Sequence, residues 1–167
     1  MASPLAPYWV LPQLLGGCRA PEGPTELRTL ADSGVRLLIS LTETPLPKEW
    51  TTPNLQQVHC PIPDFDAPTV AQLQELLPRI DAAVNKGLPV VIHCQMGRGR
   101  AGTVLAAYLV YRGIAPTDAL QHLQRLRQGA AASAAQQQAV RYSIHLRSAT
   151  SANPPLRLPN LDGRAPL

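Results

Sequence analysis

Cysteine is scarce in this chain: Cys18, Cys60 and Cys94 are all there are, and none of them forms a CxxC pair. An odd number at wide spacing excludes a disulfide framework and a zinc knuckle. A reducing, cytoplasmic setting is the expectation. Aromatic residues number seven in 167, and lysines two against thirteen arginines. With a net charge of +4 and no long basic run, the chain lacks the basic surface and the stacking side chains of a nucleic-acid binder. No run approaches about eighteen consecutive apolar residues, and Met1 to Leu15 carries no basic segment ahead of its apolar stretch, so neither a spanning helix nor a leader is expected. Charge is sparse too, at 16% against 45% hydrophobic residues. A chain of this length and composition forms one domain and buries roughly two thirds of its unfolded surface, which rules out global disorder.

Proline and glycine, by contrast, are plentiful at eighteen and eleven, and they cut the sequence into alternating strands and helices. Tyr8 to Leu11 is a short apolar start, with Gly16-Gly17 read as the close of a hairpin or turn. Thr25 to Ser33 has helical spacing and ends at Gly34, suited to a left-handed cap. Val35 to Leu41 and Leu55 to Ile62 read as strands, the second running into the proline-stiffened loop Pro61 to Asp66. Val70, Leu73, Leu76, Leu77, Ile80, Ala83 and Val84 repeat at three and four, which predicts the longest amphipathic helix. Pro89 to Ile92 is a buried strand, followed by a glycine-rich segment and a helix over Ala101 to Tyr111. Thr117 is read as the cap of another helix, and a last one runs from about Ser133 to Arg147. Residues 148–167 lack periodicity and are read as a flexible tail, with a docked, polyproline-like Pro154 to Pro159 as the alternative.

The informative stretch is Ile92-His93-Cys94-Gln95-Met96-Gly97-Arg98-Gly99-Arg100. Cys-x5-Arg alone is expected by accident about 0.2 times in such a chain, but requiring the preceding His and a Gly three after the Cys lowers this to the order of 3 × 10⁻⁴. A short loop between a buried strand and a helix N-terminus turns successive backbone N–H groups inward, a cup for a tetrahedral dianion. Gln95, Met96, Gly97, Arg98 and Gly99 supply that loop, and Arg100 at its rim holds two phosphate oxygens in its planar fork. Cys94 on the floor is favoured as thiolate and becomes a nucleophile toward phosphorus. His93 braces the loop. Asp64 is the preferred proton donor for the departing oxygen, with Asp66 read as serving the start of the next helix.

His93-Cys94-x5-Arg100 resembles the signature of the cysteine-based protein tyrosine phosphatases, and the short chain resembles the small atypical dual-specificity phosphatases. The similarity extends to Val10-Leu11-Pro12, Gly34-Val35-Arg36, Ser40-Leu41-Thr42-Glu43, Ile62-Pro63-Asp64-Phe65 and Leu126-Arg127 with Gly129, and covers about residues 8–147. It implies an α/β fold with a central, mostly parallel twisted sheet flanked by helices, and a catalytic domain over residues 1–147. It also implies a two-step hydrolysis of phosphotyrosine, or of phosphoserine and phosphothreonine, through phosphocysteine, with no metal or cofactor. The expected partner is a phosphorylated protein or another phosphate monoester, met by a monomer without nucleic acid or stable membrane association.

Two departures from the pattern are informative. The family has Ser or Thr after the loop arginine, and its hydroxyl stabilises the leaving thiolate; here that residue is Ala101, which implies slower breakdown of the phosphoenzyme. Where relatives carry polar residues after Leu126-Arg127, this chain is alanine-rich from Ala130, and only Gln136 is a retained polar partner. Arg98 points the other way, toward a phosphoinositide or small phosphorylated metabolite, since lipid and polyol phosphatases of the superfamily often have a basic residue there. Ala101 and the alanine run also support a third reading, a phosphate-binding module without efficient turnover.

Overall fold

The computed structural model describes residues 3–147 and 154–159. A five-stranded sheet has the order β1-β2-β5-β3-β4, built from β1 (Tyr8–Leu11), β2 (Leu15–Cys18), β3 (Leu37–Ser40), β4 (Gln56–His59) and β5 (Val90–His93). Only the β1–β2 pair is antiparallel. The sheet is thus mostly parallel, and the expected α/β architecture is the one observed.

Side chains alternate across a strand, so neighbouring residues serve opposite faces. Leu38 and Val91 pack with Leu27 and Leu30 of α1 (Pro24–Asp32) on one face. Leu37, Ile39, Val90 and Ile92 meet α2 (Val70–Asn85) and α3 (Gly99–Tyr111) on the other, where α4 (Pro116–Leu126) and α5 (Ala134–Tyr142) also lie. Helix α3 is central: its residues from Arg100 to Val110 are all buried. Being covered on both faces is what makes β3 and β5 read as continuous apolar runs.

Several local expectations need correction. Gly16 and Gly17 are not a turn but lie inside β2; the turn is Pro12 to Leu14, with Gln13 at φ 54°. The glycines are there for clearance, since a Cβ on Gly16 would stand 2.4 Å from the Tyr8 carbonyl oxygen and one on Gly17 2.6 Å from the Tyr8 hydroxyl. Thr117 does not cap α4, because Pro116 already occupies its first turn and Ala115 is the cap. Asp66 does not cap α2; Thr69 does, in a capping box with Gln72. The last helix ends at Tyr142 and continues as a 3-10 turn, Ser143–Leu146. Of the expected flexible tail, residues 148–153 and 160–167 lie outside the described residues. Residues 154–159 lie against the body, as in the docked alternative: Leu156 and Leu158 pack on the main core and the Pro154 carbonyl accepts from Arg112. Apolar contact offsets the entropy of ordering this short stretch.

Parallel strands end at one edge. In register, Cys18 and Ser40 both flank His93 at the C-terminal end of β5, so the segments that follow β2, β3, β4 and β5 converge there. This is where an open α/β sheet places its ligand crevice.

Candidate active site

Cys94 follows β5 directly and is 2% exposed; Arg100, in the first turn of α3, is 3% exposed. The loop between them closes tightly on β2: Gly97 has φ 69°, and a Cβ there would stand 2.5 Å from the carbonyl carbon and oxygen of Cys18. Glycine is required on both counts. Arg98 is the residue before α3 and makes no side-chain cap bond, which leaves the first-turn amides for an incoming anion. Among the described residues, the amides of Gln95, Met96, Gly97 and Arg98 have no protein acceptor.

The guanidinium of Arg100 is held from several sides. One nitrogen donates to Glu43 Oε1 at 2.8 Å and to the Ile62 carbonyl at 2.9 Å, and the other lies 3.2 Å from Asp64 Oδ1. A buried charge needs such partners. Asp64 also accepts from the Phe65 amide at 2.9 Å, so the Pro63-to-Asp66 turn directs this carboxylate to the loop arginine. In the sequence Glu43 stands only within the matching segment Ser40-Leu41-Thr42-Glu43, which assigns it no role. The available signal was topological: three residues beyond the end of β3, it falls at the same sheet edge as the loop.

His93 is fully buried and neutral, because burial pulls it down to about 4 from the usual 6.5. The Cys94 carbonyl, 3.4 Å from Nδ1, can only accept, so Nδ1 carries the proton and Nε2 accepts from the Ser40 hydroxyl at 2.6 Å. The histidine thereby joins the loop to β3. A linkage prediction follows. Between pH 6.5 and 4 the unfolded chain binds a proton at His93 that the folded one refuses, so this stabilisation is complete above pH 6.5 and is lost as pH falls. From pH 7.5 to 5 the loss is about 2 kcal/mol. Urea unfolding of wild type and His93→Asn at both pH values should show the wild type losing that much more; parallel losses would refute it.

Gln136 sits in the first turn of α5, where Ser133 and Gln136 form a capping box. Its side-chain amide also donates to the Asp66 carbonyl at 3.3 Å, tying α5 to the turn that carries Asp64. Asp64, Cys94, Gln95, Met96, Arg98, Gly99, Arg100 and Gln136 share one cleft of about 510 Å³. Phe65 and Met96 line it from opposite segments, 82% and 56% exposed. Arg98 is exposed at its rim. Ala101 is fully buried, and the nearby Thr103 hydroxyl is committed to the Gly99 carbonyl at 2.6 Å. Cys18 and Cys60 are buried thiols, the former pushed up to about 12 mainly by burial. Among the described residues, no group of three or more His, Cys, Asp or Glu could hold a metal ion, and no helix is long and apolar enough to cross a membrane.

A cysteine under a cup of free amides, with an arginine clamped six residues on at the start of a central helix, defines a cysteine-dependent phosphatase domain. Residues 6–153 match the family described as Swiss Army Knife protein, DSP-PTPase phosphatase domain, and the chain belongs to that family. It is similar to the human dual specificity phosphatase 28, 31% identical over 133 residues that make up 75% of this chain and 72% of that protein. The similarity to the tyrosine-protein phosphatase CDC14 of Candida albicans, 28% identical, covers 49% of this chain but only 15% of that much longer protein. Among solved structures, Tk-PTP in its active form superposes with a TM-score of 0.75 at 33% identity, over 83% of this chain and 96% of the other.

Proposed function

We propose that residues 1–147 form the catalytic unit of a phosphatase that hydrolyses phosphate monoesters, phosphotyrosine first, through a phosphocysteine intermediate. The Cys94 thiolate attacks phosphorus, the bond to the leaving oxygen breaks, and Asp64 gives that oxygen its proton. Water then attacks the phosphocysteine, loses a proton to Asp64, and returns the thiolate. Loop amides and the Arg100 fork bind the equatorial oxygens throughout. The observation that carries the reading is the meeting of Cys94, Arg100 and Asp64 in one cleft, with four amides that have no protein acceptor. Phe65 and Met96 on its walls favour an apolar, aromatic leaving group over a bare sugar or glycerol.

Arg98 supports a second reading. An exposed cation lining the cleft suits a substrate with a further phosphate, such as a phosphoinositide or a small phosphorylated metabolite. Ala101 keeps the binding-module alternative in view, since a protein that binds phosphate but breaks down phosphocysteine slowly needs no hydroxyl there.

The test is hydrolysis of p-nitrophenyl phosphate in EDTA with vanadate as inhibitor, followed by a panel of tyrosine phosphopeptides and inositol phospholipids. Vanadate-sensitive turnover with preference for the peptides is expected. Preference for the lipids would transfer the reading to the second class, and vanadate binding without turnover to a binding module. Asp64→Asn separates the chemistry further. With an alkyl or unactivated aryl leaving group it should lower kcat by about 10²- to 10⁴-fold, and with p-nitrophenol, which leaves readily as its anion, by much less. Equal losses on both substrates would remove Asp64 as the acid.

A further inference from the structure

Four consecutive carbonyl oxygens of the phosphate loop are each bonded from behind, by groups from four different places in the chain. The Cys94 oxygen accepts from the His93 ring at 3.4 Å and the Gln95 oxygen from the Ala20 amide at 3.1 Å. The Met96 oxygen accepts from the Arg127 guanidinium at 3.0 Å, and the Gly97 oxygen from the Tyr8 hydroxyl at 2.7 Å. Peptide units are planar and, among the described residues, all trans, so a carbonyl and the following N–H point in opposite directions. Tying these four oxygens outward therefore turns the amides of Gln95, Met96, Gly97 and Arg98 the other way, into the cleft.

That arrangement is costly without an anion. Convergent N–H dipoles repel one another, and a flip of one peptide unit would relieve the repulsion by placing a carbonyl in the cup. The unit after Gly97 turns about the ψ bond of that glycine, where no Cβ restricts rotation. Tyr8 holds that unit, by the shortest of the four bonds. Its ring reaches the loop across Gly17, where a Cβ would stand 2.6 Å from the hydroxyl oxygen and 2.7 Å from the ring carbon that bears it. The phenol is also held in its donor form: burial and the nearby Cys94 raise its pKa above the ordinary tyrosine value.

We propose that Tyr8 is a positioning residue of the active site, whose hydroxyl fixes the Gly97 carbonyl outward and so keeps the Arg98 amide aimed at the bound oxyanion. The inference rests on the proposed oxyanion-binding role of the loop. It assigns a catalytic consequence to a residue of the first strand, far from the loop in sequence, whose aromatic ring otherwise looks like ordinary packing.

Wild type, Tyr8→Phe and Tyr8→Leu are compared in kcat/KM for p-nitrophenyl phosphate, in inhibition by vanadate and in Tm. Tyr8→Phe keeps the ring in its slot and removes only the donor. Its Tm should fall by only about 2 to 4 °C, the effect of one lost hydrogen bond, while kcat/KM and vanadate affinity both fall about three- to tenfold. If the ring acts by packing alone, Tyr8→Phe will match the wild type in all three measurements, with only Tyr8→Leu losing Tm, and the proposal is overturned. A Tyr8→Phe protein of lowered Tm but intact vanadate affinity overturns it as well. Wild type that binds no vanadate would overturn the oxyanion reading and this inference together, whereas wild-type binding with an unaffected Tyr8→Phe removes this inference alone.

Discussion

Cys94→Ser should abolish turnover of p-nitrophenyl phosphate, by on the order of 10⁴-fold or more, the scale set by removing a nucleophile elsewhere, while still binding phosphate and vanadate. The cup is made of backbone amides and Arg100, none of which depends on the Cys94 side chain. Serine is smaller than cysteine and fits the same 2%-exposed position, so Tm should change little. What disappears is the nucleophile: at neutral pH a hydroxyl with no base beside it is a far weaker attacker than a thiolate. His93 cannot stand in as that base, because its Nδ1 proton is engaged by the Cys94 carbonyl and its Nε2 by Ser40. Steady-state assay and phosphate titration of the variant check both halves. Residual activity within tenfold of wild type would mean that phosphorus is attacked by some other group.

Arg100→Lys should be nearly as damaging, with kcat/KM lower by about 10² to 10³ and most of the loss in kcat. The charge is retained, but a lysine ammonium cannot supply two parallel bonds to a planar pair of oxygens. The substitution also disturbs the folded state, because the Glu43 carboxylate, the Ile62 carbonyl and Asp64 all converge on the guanidinium. A shorter reach leaves the buried carbonyl without a donor, a loss of about 1 to 3 kcal/mol of stability. Kinetics and urea unfolding on one preparation measure both effects. Wild-type kcat with only KM raised would make Arg100 a docking charge rather than a group that grips the transition state.

The local elements were legible because their signals are local. The three-and-four repeat from Val70, the apolar strand Pro89 to Ile92, and Gly34, found at φ 105° just beyond α1, each state a preference that neighbouring residues suffice to express. Thr117 and Asp66 lost the cap to near neighbours, Ala115 and Thr69, but other misread residues have their reason elsewhere in the chain. Gly16-Gly17 has the look of a turn, yet those glycines are needed because Tyr8 and Trp9 of the neighbouring strand pass too close for a Cβ. The tail was read from composition, which carries no information about the apolar surface that receives Leu156 and Leu158.

The same division runs through the active site. Cys94, the loop and Arg100 are contiguous, so spacing alone determined that a strand, a glycine-bearing loop and a helix N-terminus meet there, and with them the class of chemistry. Their surroundings come from other elements: Ser40 from the end of β3 and Glu43 beyond it, Asp64 after β4, Tyr8 from the start of β1 and Arg127 after α4. Contacts between groups so far apart in sequence leave no periodicity or spacing to read. Asp64 apart, which the proline-stiffened loop already singles out, only the closing of a parallel sheet, which brings all its C-terminal ends to one edge, decided which of the chain's carboxylates, hydroxyls and guanidinium groups the phosphate loop would meet.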